Sequence, residues 1–239
     1  MPRGIRRMIS IERGECPAVL EHADPDGSSY SDPTVVDALS SMQHGKCCYC
    51  EKYIDKSGND RAVEHFRPKA TNKFPELKNT WSNLLHVCAA CNGKKSAKFP
   101  VDEEGNPLFL DPSDPSVNPE DHMEFNVNHE DDIEFAKVSA KNDEVGESKL
   151  GAATIKELDL DGVRCRRDRV AGFARLFTAY MEIWETTNQT TKEQKVHTFE
   201  LRLGANNQHA AFARAFARAM NLDKRFGVQI LQGAQVEPE

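Results

Sequence analysis

The sequence predicts an α+β protein in which a small strand–strand–helix unit precedes a mostly helical C-terminal region. Two pairs of closely spaced cysteines lie between residues 44 and 100 and bracket two short extended stretches. Beyond residue 148, apolar residues recur at the spacings of three and four that are typical of amphipathic helices. The 239 residues allow one large domain or two small ones, with enough length for a hydrophobic core.

Residues 1–43 are predicted to be an N-terminal segment followed by one helix. The first 31 residues are polar and broken by proline and glycine. Asp32 and Pro33 have the residue types of an N-cap and a first helical position, so a helix is predicted from there to about Met42.

The N-terminal basic residues are not followed by the apolar run of a signal peptide. No stretch approaches the roughly 18 apolar residues of a membrane span. We therefore expect a cytoplasmic protein with reduced thiols and no membrane association.

Residues 44–100 are predicted to form the strand–strand–helix core. An extended stretch at 62–66 ends at Arg67, because a residue before proline is disfavoured in the helical region. A second extended or turn segment covers 81–87. A helix is predicted from Cys88 to about Ala97, since Pro100 stops it.

Two further segments complete the predicted organisation. Residues 101–145 form an acidic loop and a hairpin, with strands near 125–127 and 133–138 and a turn at 129–132. Residues 146–239 form a helical C-terminal region, with helices at about 148–158, 163–186, 191–203 and 206–220. One buried stripe is predicted on the second of these helices, comprising Val170, Phe173, Phe177, Tyr180, Met181 and Trp184.

The two cysteine pairs predict a closed structural zinc site. Two residues between the members of each pair let both thiolates reach one ion, and two pairs complete a tetrahedral ligand set. Short disulfides or a redox dithiol are the alternatives, and the expected reducing compartment disfavours both. Cys48 is a strained substitute for Cys47, whereas Cys16 and Cys165 are expected to be ordinary thiols. The predicted ligands are Cys47, Cys50, Cys88 and Cys91.

The charge is unevenly distributed around a formal net value of −7. Residues 44–100 carry 11 Lys and Arg against 5 Asp and Glu, a net +6, whereas residues 101–161 carry 18 acidic and 4 basic side chains, a net −14. A basic block that coincides with the cysteines is typical of a protein that binds a phosphate backbone. The acidic block is a solvated face, a surface that holds the basic site shut, or a partner-docking surface.

Three motifs in the basic block resemble the HNH endonuclease family over about residues 44–99. They are AVEHFRPK at 62–69, WSNLL at 81–85 and CAACNGKK at 88–95. The opening ISIERGECP at 9–17, the HFRPK run, the length and the helical second half resemble more narrowly the HNH nucleases of retron and Septu anti-phage systems, the PtuB-like proteins. The resemblance implies a ββα-metal fold and a nuclease that uses Mg²⁺ or Mn²⁺.

The resemblance also implies roles for individual residues. His65 is the expected general base, in keeping with the near-neutral pKa of histidine. Glu64 and Asn92 are the expected ligands of the catalytic ion, because both offer hard oxygen donors. Asn83 matches the central asparagine that braces the loop or orients the base. Many family members have Asp or His at the position of Glu64, and His86 is expected to be structural.

Four basic residues are expected to contact backbone phosphates, namely Arg67, Lys69, Lys94 and Lys95. Such contacts position a strand but carry little base information. The chain has no phosphate-binding GxxxxGK[ST] motif, so any ATP dependence has to come from a partner. The resemblance to Septu and retron nucleases implies an ABC-type, PtuA-like ATPase as that partner.

The sequence therefore predicts an endonuclease that hydrolyses DNA phosphodiester bonds in anti-phage defence. Three alternatives remain open: an RNA nuclease, for example one acting on tRNA, a non-catalytic zinc-stabilised nucleic-acid-binding module, and a scaffold for an ATPase. The Glu64-His65 dipeptide favours the enzyme, because a zinc module without catalysis does not need an acid beside a histidine between its cysteines.

Overall fold

A computed structural model of the chain describes residues 11, 13–55, 60–128, 134–144 and 146–230. Within these residues the predicted α+β class is confirmed. The strands are β1 Arg61–His65, β2 Leu84–Cys88, β3 Met123–Phe125, β4 Val138–Ala140, β5 Asn142–Asp143 and β6 Gly146–Glu147. The helices are α1 Ala18–Glu21, α2 Pro33–Met42, α3 Ala89–Lys95, α4 Pro119–His122, α5 Lys149–Leu158, α6 Val163–Glu185, α7 Gln189–Leu201, α8 Ala210–Ala219 and α9 Leu222–Phe226.

The predicted strand–strand–helix core is present as β1, β2 and α3. The two strands are antiparallel, with Glu64 opposite Leu85 and His65 opposite Leu84. Cys88 ends β2 and also caps α3, because its Sγ accepts a hydrogen bond from the backbone N–H of Cys91. The helix ends at Lys95, shortly before the predicted end, since the next residue adopts a positive φ of 49°. This arrangement joins the ends of both strands to one helix.

The helix α2 begins where the sequence predicts it. Asp32 Oδ1 accepts a hydrogen bond of 2.8 Å from Thr34 N, and Pro33 occupies the first helical position. Val35 and Leu39 are fully buried and belong to a small apolar cluster with Leu84 of β2. The N-terminal segment is thus packed against the back of the core hairpin.

The second hairpin is displaced from its predicted position. β3 pairs with β4 so that Phe125 lies opposite Val138, and the pairing extends to Met123 and Ala140. The predicted turn at 129–132 and Ile133 lie outside the described residues. The paired positions include three buried apolar residues, Met123, Val138 and Ala140, so the strands lie where apolar side chains enter the core.

The predicted C-terminal helices correspond to α5 to α8. The helix α7 begins at Gln189, earlier than predicted, because Asn188 accepts a hydrogen bond of 2.9 Å from Thr191 N as its N-cap. The helix α8 begins only at Ala210, since His209 adopts a left-handed conformation with φ 53°. None of the helices in the described parts of the chain is long and apolar enough to cross a membrane.

The predicted stripe on α6 is partly wrong. Val170 and Trp184 are 43% and 55% exposed, whereas Tyr180 is buried as expected. The buried face also includes Arg169, which donates to the carbonyls of Ala136 at 2.7 Å and Leu160 at 3.0 Å. Because this arginine finds backbone acceptors inside the protein, the core-facing side of α6 is not purely apolar. The buried residues of α6 are Cys165, Arg169, Leu176, Tyr180 and Ile183.

Apolar contacts join the cysteine core to the later segments. The cluster that contains the four predicted ligands also contains Met123, Leu158, Cys165 and Ala211. A second cluster lies among α6 to α9. The division of the chain at residues 43, 100 and 145 stays a prediction.

A buried ion pair adds a polar connection between the first cysteine pair and α8. Lys46 is fully buried, and its Nζ lies 3.3 Å from Glu51 Oε1 and donates to Asn207 O at 2.7 Å. Glu51 Oε2 accepts a hydrogen bond from Ala211 N at 3.1 Å. The loop of the first cysteine pair is therefore held against the beginning of α8.

Candidate active site and metal centre

The four predicted ligand cysteines converge on one point. Their Sγ atoms all lie within 4.8 Å of one another, and the Cys50 to Cys88 separation is 3.9 Å. A tetrahedral zinc site with Zn–S bonds of about 2.3 Å has S–S separations of about 3.8 Å. The separation matches this value, and the four residues are free thiols. Spacing and donor set therefore fit zinc, and the cluster contains Cys47 rather than Cys48.

The local backbone explains how each pair points at the same place. After Cys47, a tight turn brings Glu51 N within 3.0 Å of the Cys47 carbonyl, with Glu51 at a positive φ of 59°. The second pair lies at the start of α3, where Cys88 is the N-cap and Cys91 is in the first helical turn. Both pairs thus project from tight turns.

Two residues of α6 that the sequence did not assign to the metal centre lie beside it. Cys165 was expected to be an ordinary buried or surface thiol without a nearby partner; it is buried, but its side chain interacts with that of Cys50. Arg164 lies 3.4 Å from Cys91 Sγ and 3.9 Å from Cys50 Sγ. Burial lowers the pKa of Arg164, but the neighbouring thiolates outweigh burial and raise it. This arginine would therefore balance part of the negative charge that Cys50 and Cys91 carry as zinc-bound thiolates.

His65 lies at the end of β1, and its ring is hydrogen-bonded to the backbone. Its Nε2 is 2.8 Å from the carbonyl oxygen of Lys78. A carbonyl only accepts, so Nε2 carries the proton and Nδ1 carries the lone pair. Burial lowers the pKa of His65 to about 4, and the cations of Lys69 and Lys95 add to this effect against the hydrogen bond to Lys78. The ring is neutral at pH 7 and able to accept a proton.

Asn83 braces the loop that supplies this carbonyl. Its Nδ2 donates to the carbonyls of Arg67 at 3.0 Å and Leu77 at 3.1 Å, and its Oδ1 accepts from Arg67 N at 2.8 Å. Leu77 directly precedes Lys78, whose carbonyl binds His65. The geometry therefore gives Asn83 a positioning role.

Lys95 does not fit the phosphate contact that the sequence suggested. Its side chain is fully buried, with Nζ 2.6 Å from Glu64 Oε1 and 2.9 Å from the carbonyl oxygen of His65. Glu64 is 2% exposed. Burial raises the pKa of Glu64 to about 7, although Lys95 and Lys69 oppose that rise. Lys95 is thus the counter-ion of Glu64 and a link between α3 and β1, and its ammonium is out of reach of a nucleic acid in this conformation.

Asn92 lies on the helix that carries Lys95. It is half-buried and precedes Lys95 by three residues, and residues three apart share one face of a helix. This spacing places Asn92 on the face of α3 that also carries Lys95, the partner of Glu64. A carboxylate and an amide oxygen are hard donors, so their chemistry fits Mg²⁺ or Mn²⁺.

The remaining predicted phosphate contacts are accessible to different degrees. The Arg67 guanidinium lies 5.3 Å from the ring centroids of both Phe74 and Phe99, and Lys69 is half-buried. Lys94 is exposed and lies 2.8 Å from Asp159 Oδ2. An exposed pair of this kind contributes about 0–1 kcal/mol, so a phosphate can replace its acidic partner. The acidic block therefore lies directly beside part of the basic block.

The sequence did not identify Tyr30 as a site residue. Its ring contacts that of His65 edge to face, with centroids 4.7 Å apart and planes at 79°. Tyr30 belongs to the polar N-terminal segment, whose pattern gives no sign that it packs against a histidine 35 positions later.

Comparisons with known proteins find similar sequences over this part of the chain. The family model described as HNH endonuclease matches residues 47–98. A Septu protein PtuB of Bacillus thuringiensis is 36% identical over 39% of this chain and 41% of its own length. A Septu protein PtuB of Bacillus mycoides is 27% identical over 67% of this chain and 68% of its own length. The chain thus spans less than half of the first relative and about two thirds of the second.

Proposed function

We propose that this chain is a metal-dependent endonuclease that hydrolyses DNA phosphodiester bonds in anti-phage defence, since residues 47–98 match the HNH endonuclease family model. The observation that carries the proposal is the state of His65. Its Nε2 donates to the Lys78 carbonyl at 2.8 Å, which leaves Nδ1 as the basic atom. A zinc-binding module without catalysis does not need a histidine held in this state beside a buried carboxylate.

Each site residue has a separate role in the hydrolysis. His65 Nδ1 accepts a proton from the attacking water, and the hydrogen bond to Lys78 stabilises the imidazolium that forms. A Mg²⁺ or Mn²⁺ ion would supply the positive charge that stabilises the pentacovalent transition state and the leaving 3′ oxygen. We assign Glu64 and Asn92 as its protein ligands. The ion pair with Lys95 engages Glu64 Oε1, so Oε2 is the oxygen that we assign to the ion.

The accessible cationic side chains around this centre hold the DNA strand. Arg67, Lys69 and Lys94 are the proposed phosphate contacts, and Lys95 is removed from that set because it is buried. Contacts of this kind set the position of the backbone and give little sequence specificity.

We propose further that the nuclease acts with a partner subunit. Both relatives bear the name of the Septu system, and the resemblance implies an ABC-type ATPase as the partner that controls cleavage. The acidic 101–161 block is the proposed docking surface for that partner, and its Asp159 is placed to compete with DNA for Lys94.

The direct test is nicking of supercoiled plasmid by purified protein with Mg²⁺ or Mn²⁺, after about one zinc per chain has been confirmed. His65→Ala is expected to abolish cleavage with zinc content and fold unchanged. His197→Ala is the matched control, because its side chain is 67% exposed on α7, and it is expected to cleave normally. Normal cleavage by His65→Ala would remove His65 from its role.

Two further experiments distinguish the proposed function from the other candidate functions. Competition between DNA and RNA substrates, tRNA included, identifies the nucleic acid that is cleaved. Cleavage that begins only after the ATPase partner and ATP are added indicates a controlled effector. Binding of nucleic acid without cleavage by any metal ion, with or without the partner, would identify a binding module instead.

A further inference from the structure

We propose that Tyr30 is a further residue of the catalytic centre. The Tyr30 ring fixes the plane of the His65 imidazole. The Tyr30 hydroxyl, together with Lys69, binds the reacting phosphate. The inference rests on the proposed nuclease function and adds a residue from the N-terminal segment, outside the 47–98 domain.

The first step of the argument is the contact between the two rings. The Tyr30 and His65 centroids are 4.7 Å apart with planes at 79°, a favourable edge-to-face geometry. The hydrogen bond from His65 Nε2 to Lys78 O fixes one edge of the imidazole. The hydrogen bond alone still permits the ring to tilt about the Nε2 contact. The Tyr30 ring opposes that tilt, so the two contacts together set the direction of Nδ1.

The second step is that Tyr30 is firmly held in this position. Its backbone N–H donates to Asn79 Oδ1 at 3.0 Å, and Asn79 Nδ2 donates to Asp24 O at 2.9 Å. Lys78 Nζ donates to Asp26 O at 2.8 Å. The loop at residues 24–30 is thus tied to residues 78–79, which also carry the carbonyl that binds His65. One short segment therefore positions both contacts of the histidine ring.

The third step is the pairing of Tyr30 with a cation. Lys69 Nζ lies 3.7 Å from the centroid of the Tyr30 ring, and both side chains are half-buried. A hydrogen bond with Lys69 is the main cause of a lowered pKa of the Tyr30 phenol, although burial raises that pKa. A phenol beside an ammonium group is a stronger hydrogen-bond donor than an isolated one. A hydroxyl and an ammonium next to the general base form a pair that is suited to the oxygens of a phosphate group.

The test compares two replacements of Tyr30 with a matched replacement elsewhere. Tyr30→Phe keeps the ring and removes the hydroxyl, whereas Tyr30→Ala removes both. Tyr53→Phe is the control, because Tyr53 is 48% exposed and its hydroxyl donates to Asn206 O outside the site. All variants are compared as zinc-loaded, full-length protein.

Single-turnover cleavage at saturating DNA is expected to separate the two roles. Tyr30→Phe should slow the reaction about tenfold, as expected for the loss of one donor to the reacting phosphate, and Tyr30→Ala should slow it by about another tenfold. Tyr53→Phe should match the wild type. A Tyr30→Phe rate within twofold of the wild type overturns the role of the hydroxyl, and equal rates for both Tyr30 variants overturn the role of the ring.

Inorganic phosphate provides a probe that does not depend on cleavage. Its binding is followed by NMR through the ring resonances of His65, in protein without added divalent ions. Wild type and Tyr53→Phe should bind phosphate equally, and Tyr30→Phe should bind it at least about threefold more weakly, in keeping with the loss of one hydrogen bond. Equal binding by wild type and Tyr30→Phe overturns the phosphate site. If the wild type failed to cleave any substrate but showed the expected phosphate difference, the nuclease proposal would fail and the phosphate site would stand.

Discussion

Replacing Lys95 by methionine is expected to produce a loss of stability that grows with pH. The substitution keeps most of the side-chain volume but removes the ammonium that lies 2.6 Å from Glu64 Oε1. Both side chains are at most 3% exposed, so water does not replace the lost charge. Leaving one partner of such a buried pair ionised costs about 3–5 kcal/mol. Glu64 therefore avoids the ionised state in the variant and stays protonated to a higher pH than in the wild type.

The magnitude follows from the pKa of Glu64. In the wild type this pKa is about 7 in the folded protein, against 4.5 for an ordinary glutamate. A folded-state pKa above the unfolded value means that stability is present at low pH and lost as pH rises through the folded pKa. The wild-type loss levels off above pH 7, whereas the loss in Lys95→Met continues at about 1.4 kcal/mol per pH unit. The wild type, half protonated at Glu64 at pH 7, loses about 0.4 kcal/mol more by pH 9, so the difference in unfolding free energy should grow by about 2 kcal/mol from pH 7 to pH 9.

Urea unfolding of zinc-loaded protein between pH 6 and pH 9, without added divalent ions, measures this difference. Two controls isolate the cause. The Glu64→Gln, Lys95→Met double variant has no ionisable group at this pair, so the continued loss of stability above pH 7 seen in Lys95→Met should be absent from it. Lys94→Met, which removes the adjacent but exposed lysine, should change stability by no more than about 0.5 kcal/mol at any pH. A difference between wild type and Lys95→Met that stays constant from pH 6 to pH 9 would refute the reasoning.

Three further predictions concern Asn83, Arg164 and His209. Asn83→Ala loses three hydrogen bonds and should lower the free energy of unfolding in urea by about 2–4 kcal/mol. It should also slow plasmid nicking more than about tenfold. A nicking rate within twofold of the wild type would contradict the positioning role of Asn83. Arg164→Met removes the hydrogen-bond donor to two of the cysteine sulfurs. The variant should release zinc to a colorimetric chelator about tenfold faster than the wild type. An unchanged release rate would show that the Arg164 contact does not help to hold the metal. Burial lowers the pKa of His209 below 6.5, so its contribution to stability is present above pH 6.5 and declines as the pH falls further. Thermal unfolding of His209→Gln should consequently depend less steeply on pH between 5 and 6.5, and equal slopes would exclude His209 as the source.

Local sequence signals predicted the features that depend on neighbouring residues. The spacing of two residues within each cysteine pair was sufficient to predict the metal cluster, because the turn that joins the thiolates is local. The helix start at Asp32 was likewise correct, since an N-cap bond spans only two residues.

Features that depend on which side of an element faces inward could not be predicted in the same way. Lys94 and Lys95 are adjacent and chemically alike, but one is exposed and the other is fully buried. Their difference is determined by the position of Glu64 on β1, which sequence spacing does not reveal. The contact of Tyr30 with His65 joins segments 35 residues apart and has no local signal. Arg164 approaches the cysteines only because α6 packs beside them.

The buried pair of Lys46 and Glu51 limits how the proposed nuclease unit can be engineered. Its hydrogen-bond partners, Asn207 O and Ala211 N, lie more than 150 positions later in the chain. A shortened protein that ends after the hairpin at residues 123–140 would leave an ammonium and a carboxylate without those partners beside the first two predicted zinc ligands. Fusing residues 44–100 alone to a DNA-targeting protein would therefore transfer a weakened metal site, and a transplantable nuclease has to include the chain through α8.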